Sequence, residues 1–167
     1  MKFSNRFALS ATAVVVLSSL STAALAASAT GTANANVLQP IAITAVNTLE
    51  FGTFAANAAG TVVIPSGGTR SVTGGVIGAS GTSRPASFSV TGTGNATFGI
   101  TYPTGITVVN GANSMAVSFA AVAAGNASTG TLSAGAVTIS VGAVLTVAAA
   151  QTAALYTGTY PLIVEYN

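Results

Sequence analysis

The sequence predicts an all-β protein, an antiparallel β-sandwich of roughly eight to ten short strands. Three observations carry that expectation. Apolar and polar residues alternate along many short runs, the period of a strand with one buried face. Turn residues punctuate those runs, with 19 glycines in 167 residues and an Asn110-Gly111 dipeptide between two alternating segments. No amphipathic pattern of helical period extends far enough to build a helix of useful length.

The first residues are a targeting segment rather than part of the fold. Lys2 and Arg6 precede an uncharged, mostly apolar run from Phe7 to Leu20, and Ala24-Leu25-Ala26 is a small-x-small cleavage site. The run is too short for a transmembrane helix. Residues 1–26 are therefore expected to be a secretory signal peptide, cut after Ala26 or Ala27, and the chain to be exported. Residues 27–38 are an N-terminal extension, and residues 39–167 the sandwich domain.

In the extension Ala29, Gly31, Ala33, Ala35 and Val37 alternate with Thr30, Thr32, Asn34, Asn36 and Leu38. Gln39-Pro40 interrupts, because proline removes a ladder donor and restricts the residue before it. Ile41, Ile43 and Ala45 resume the alternation. "LEFGTFAA" reads as a short strand with a glycine bulge, "GTVVIP" as another, and "SGGTRSVTGGVIGASGTSRP" as a loose connection. Ala86 to Thr91 and Ala96 to Tyr102 read as a hairpin around "TGTGN". "ITVVNGANSMAVSF" is a second hairpin, and "AVTISVGAVLTVA" gives one or two strands around Gly142. "AAAQTAAL" is equally a loop or a helical turn. The closing "LYTGTYPLIVEYN" places Tyr156, Gly158, Tyr160, Leu162, Val164 and Tyr166 on one face of a strand. A membrane barrel fits poorly, since the alternate faces are threonine, serine and asparagine and tryptophan is absent.

Composition excludes several kinds of function. Removing the signal removes Lys2 and Arg6, and Glu50, Arg70, Arg84 and Glu165 remain, summing to zero charge. No basic patch is left for nucleic acid or anionic membrane. Charged residues make up 4% of the chain, against ~25% in ordinary domains. So little charge invites self-association. Histidine, cysteine and aspartate are absent, so no serine has a base to activate it and two lone carboxylates cannot make a zinc or calcium shell. No catalytic residue, cofactor or metal is assigned, and an enzyme is not expected. Asn95-Ala96-Thr97 and Asn126-Ala127-Ser128 match the N-glycosylation pattern, which alanine- and threonine-rich text also produces by chance.

Strand-like alternation at both chain ends suggests an incomplete sandwich. An open groove beside a final strand is an aggregation hazard that a neighbour's extended arm removes by pairing along it. Such contacts run head to tail and build a fibre. Ala29, Gly31, Ala33, Ala35 and Val37 are the expected donated face. Tyr156, Tyr160, Leu162, Val164 and Tyr166 are the expected acceptor groove. The ending "YTGTYPLIVEYN", with Tyr166 next to last, resembles the C-terminal strand of chaperone–usher pilus subunits. The order of "ATGTANANVLQPIAIT", "LEFGTF", "SRPASFSVTGTGNATFGITYP" and "YTGTYPLIVEYN" resembles a family of small secreted bacterial domains of unassigned function. The resemblance implies an immunoglobulin-like, pilin-like sandwich completed by a donated strand. It also implies a homopolymeric fimbria at the cell surface, and a periplasmic chaperone and outer-membrane usher as assembly partners. The chain departs from pilus subunits in lacking a disulfide and in carrying Ala154 where they tend to have glycine. The alternative expectation is a monomeric secreted module that binds a surface glycan or matrix, which requires a cluster of exposed aromatics.

Overall fold

The structure, a computed structural model, describes residues 26–119 and 124–167. All of the expected signal segment except Ala26 lies outside the described residues. The chain divides into two units, Met1–Ala35 and Asn36–Asn167. In the first, residues 26–35 are exposed and belong to no strand. The alternation of Ala29 to Ala35 therefore does not form a strand within the chain.

The second unit is an all-β sandwich of antiparallel sheets. Among the described residues its strands are β1 (Ala42–Asn47), β2 (Phe54–Ile64), β3 (Ser71–Gly78), β4 (Ala86–Thr91), β5 (Thr97–Thr101), β6 (Ile106–Asn110), β7 (Asn113–Ser118), β8 (Thr129–Thr131), β9 (Ala136–Val141), β10 (Ala143–Val147) and β11 (Ile163–Tyr166). They form a three-stranded sheet β1-β4-β9, a five-stranded sheet β3-β2-β10-β7-β6 and a three-stranded sheet β11-β5-β8.

Alternation places the core. Val62, Met115, Val117, Leu145 and Val147 from the five-stranded sheet pack with Ala86 and Val141 of the β1-β4-β9 sheet. At the other end of β4, Val90 packs with Phe98, Ile100, Leu132 and Val164. One sheet thus covers two neighbouring cores, one under each of the other sheets. Its inward residues alternate along β4 as a half-buried strand requires.

Several local expectations are corrected. The segment 66–85 is not merely a loop but contains β3, whose alternation is broken by Gly74 and Gly75. There a Cβ would collide with the backbone of Ala58 to Gly60, so the close approach at the β2 bulge demands glycine. β4 and β5 are not a hairpin. β4 pairs with β1 and β9, and β5 with β11 and β8, so "TGTGN" carries the chain between sheets. The β6–β7 hairpin forms, but Asn110 pairs with Asn113, so Gly111 (φ 57) and Ala112 are its central residues. Positive φ at the first central position alone matches a type II′ turn. The closing strand is also shorter than expected. Thr157 makes an isolated bridge to Val109, and β11 begins only at Ile163. Pro161, without an N–H, lies where the chain passes from the edge of β6 to β5. Gly142 marks a similar crossing, between β9 on one sheet and β10 on another.

Candidate functional site

The residues expected in the acceptor groove fall into two groups, and those expected on the donated face are a separate set. Ala29, Gly31, Ala33 and Ala35 lie in exposed chain outside any strand, and Val37 is 90% exposed. Tyr156 and Tyr160 line a groove of about 860 Å³. Leu162 packs against both cores, and Val164 is buried in the core around Phe98. Tyr166 seals that same core. Its hydroxyl donates to the Gln39 carbonyl at 2.8 Å and accepts from the Thr93 N–H at 2.7 Å. Gln39 is held further by its own N–H, which donates to Thr93 Oγ1 at 2.7 Å. The C-terminal face is therefore shared between an open groove and a closed end.

The groove follows from unequal strand lengths. β2 has 11 residues and β10 has 5. β10 pairs with β2 only from Gly60 to Ile64, and with β7 only from Ala116 to Ser118. Among the described residues no strand occupies the space between β2 and β7 past Val147, although β3 continues to pair with Phe54–Ala56. The floor of the groove is the inward face of the sheet, including Val108, Met115 and Leu145. One wall is the segment Thr48–Thr53 and the other is the chain from Gln151 to Tyr160.

Each wall is fixed by polar side chains. Arg70 Nη1 donates to the Phe51 and Thr53 carbonyls at 3.2 and 3.1 Å, and its Nη2 donates to the Ala79 carbonyl at 2.6 Å. Arg84 pairs with Glu50 at 2.8 Å, beside a backbone bridge between the same two residues. On the opposite wall Asn110 Nδ2 donates to the Leu155 carbonyl at 2.9 Å. Gln151 Nε2 donates to the Tyr156 hydroxyl at 3.0 Å and reaches the Ser114 carbonyl at 3.4 Å. Burial pushes the Tyr160 phenol up to about 12 and raises Tyr102 above its ordinary value. The Tyr160 ring packs against Phe119, tilted by 43° at a centroid distance of 4.5 Å, and meets Phe88 edge-on at 6.4 Å.

This arrangement is suited to holding an apolar or extended guest. Its one carboxylate, Glu50, is already paired, and no group of three or more His, Asp or Glu side chains comes together among the described residues. Its volume lies within the ~300–1,000 Å³ of ordinary ligand pockets. Phe54, Ala56 and Met115 were not singled out by the sequence pattern. A usable signal was present in the arginines, because only two lie beyond the expected signal segment and both brace the same wall. Of the two glycosylation matches, Asn126 is 7% exposed. Its amide is consumed by bonds to Phe119 and Gly142, whereas Asn95 is exposed on a turn.

Residues 41–166 match the family described as a domain of unknown function, DUF4402, and the chain belongs to that family. No curated protein and no solved structure matches the chain.

Proposed function

We propose that the chain is a structural subunit of an exported surface fibre, assembled when the N-terminal extension of one copy fills the groove of the next. The observation that carries this reading is the groove itself, an apolar channel where the five-stranded sheet runs out of strands. The alternating, uncharged segment Ala29–Val37 supports it, since that segment has strand periodicity and its residues are exposed and belong to no strand. Backbone pairing supplies affinity in such strand addition, and alternate side chains supply specificity. A growing fibre of this kind needs its groove covered in transit, and a periplasmic chaperone and an outer-membrane usher are the proposed assembly partners.

A monomeric glycan-binding module finds less support. Such a site presents aromatic rings to solvent. All nine aromatics among the described residues are buried or half-buried.

Electron microscopy of the chain with and without residues 27–38 tests the proposal. Fibres are expected from the intact chain and single subunits from the truncated one. Fibres of unchanged length after truncation would refute it.

A further inference from the structure

We infer that the strand-addition surface is the open edge of β2 at Phe54–Ala56, and that its occupant is the segment Ala29–Val37 of a second copy of this chain. This rests on the fibre reading above and names the edge and the side chains involved.

The backbone direction at this edge can be read from its neighbours. The Ala79 N–H donates to the Thr53 carbonyl at 3.0 Å, which turns Thr53 toward the β3 side. Antiparallel ladders alternate, so Ala55 also faces β3, while Phe54 and Ala56 direct their N–H and C=O to the other side. Among the described residues no strand pairs on that side, since β10 pairs with β2 no further than Gly60. β2 and β7 both flank β10. Beyond Val147 they therefore stand two strand spacings apart, roughly 9–10 Å, which admits one strand. Gln151 closes the β7 side through the Ser114 carbonyl, leaving β2 as the edge that can pair.

The floor selects the occupant. A strand laid along Phe54–Ala56 turns alternate side chains onto the groove floor. Met115 is already 4% exposed and Leu145 2%. A floor already so nearly covered leaves little apolar surface for long side chains to bury, so short ones suffice. Ala29, Gly31, Ala33 and Ala35 are small, and Val37 gives one larger anchor that is 90% exposed in its own chain. Charge agrees. Residues 27–38 carry no charged side chain, and the groove's one carboxylate is neutralised by Arg84. An acidic or basic peptide would lose its hydration there without a partner.

The chain contains no cysteine, which makes cross-linking unambiguous. Neighbouring strands bring same-face Cβ atoms to ~4.5–5.5 Å, close to the span a disulfide bridges. In the full chain, Ala56→Cys is combined in turn with Ala29→Cys, Ala33→Cys, Ala35→Cys or Val37→Cys. At least one of these pairs is expected to give a ladder of covalent oligomers on a non-reducing gel. Pairing Ala56→Cys with Thr30→Cys, Thr32→Cys, Asn34→Cys or Asn36→Cys is expected to give none. Cross-linking without regard to this alternation, or only within single chains, overturns the inference. Fibres that form with no cross-link at any position overturn the edge assignment and leave the fibre reading standing. Absence of both fibres and cross-links removes the two together. As a second variant, Ala56→Pro deletes an N–H that faces the slot and not β3, and is expected to abolish assembly while the monomer stays folded. Unchanged assembly in that variant also overturns the inference.

Discussion

The two ends of the sandwich are built from the same kinds of residue and finish differently. Around Phe98 the core is shut, and Phe98, Val90 and Leu132 are each 0% exposed. Gly130 lies against the Phe98 ring, and Gly92 lies under the Tyr166 hydroxyl where a side chain would collide. Tyr166 ties two separate loops across that end. Around Met115 the residues are equally apolar, yet a channel remains. Openness there does not come from a shortage of apolar side chains. It comes from topology, since β10 stops at Val147 while β2 beside it runs on past that point.

The sharpest way to test this contrast is to damage the shut end. Phe98→Ala is expected to cost ~3–5 kcal/mol of stability, measured by denaturant unfolding. A cost below about 1 kcal/mol would show that this end is no better packed than the other. Tyr166→Phe removes two hydrogen bonds and leaves their partners behind, an expected loss of about 1–3 kcal/mol. Faster amide exchange at Thr93 would accompany it, and unchanged exchange would contradict the role given to this hydroxyl.

At the open end the Tyr160 phenol provides a pH test. Its folded value is raised from 10.0 to about 12, so its stabilising contribution is fully present below pH 10. As pH rises through 10 toward 12, the unfolded chain loses its proton first and stability falls. Thermal melts across that window are expected to drop in the native chain and to flatten in Tyr160→Phe. The smallest effect is expected from Arg84→Ala. The ion pair with Glu50 is partly exposed, at 44% and 35%, and such pairs contribute ~0–1 kcal/mol, less at high salt.

The fold class was legible because strand period survives in any half-buried sheet. Most strands around the sheet interiors were found from it, as was the hairpin at Asn110-Gly111. What period does not carry is the partner of each strand. β4 and β5 look like a hairpin locally, yet tertiary packing sends them to different sheets. The same blindness affects Tyr156 to Tyr166. One uninterrupted alternation spans a bridge to β6, a crossing at Pro161 and a strand on β5, so half of it lines the groove and half seals the opposite core. β3 was hidden because Gly74 and Gly75 answer to the backbone of Ala58 to Gly60 rather than to a buried face. The groove depends on where β10 stops relative to β2, which no local pattern encodes.

Asn110 has a further consequence, for chemical ageing. Its amide joins the tip of the β6–β7 hairpin to the groove wall through the Leu155 carbonyl, and glycine follows it in sequence. Hydrolysis of that amide to a carboxylate would replace a donor with an anion facing a carbonyl oxygen. The hairpin would repel the wall it now holds. In a chain with so few charges, a single such event would register on an isoelectric gel, giving old material a different outline from fresh.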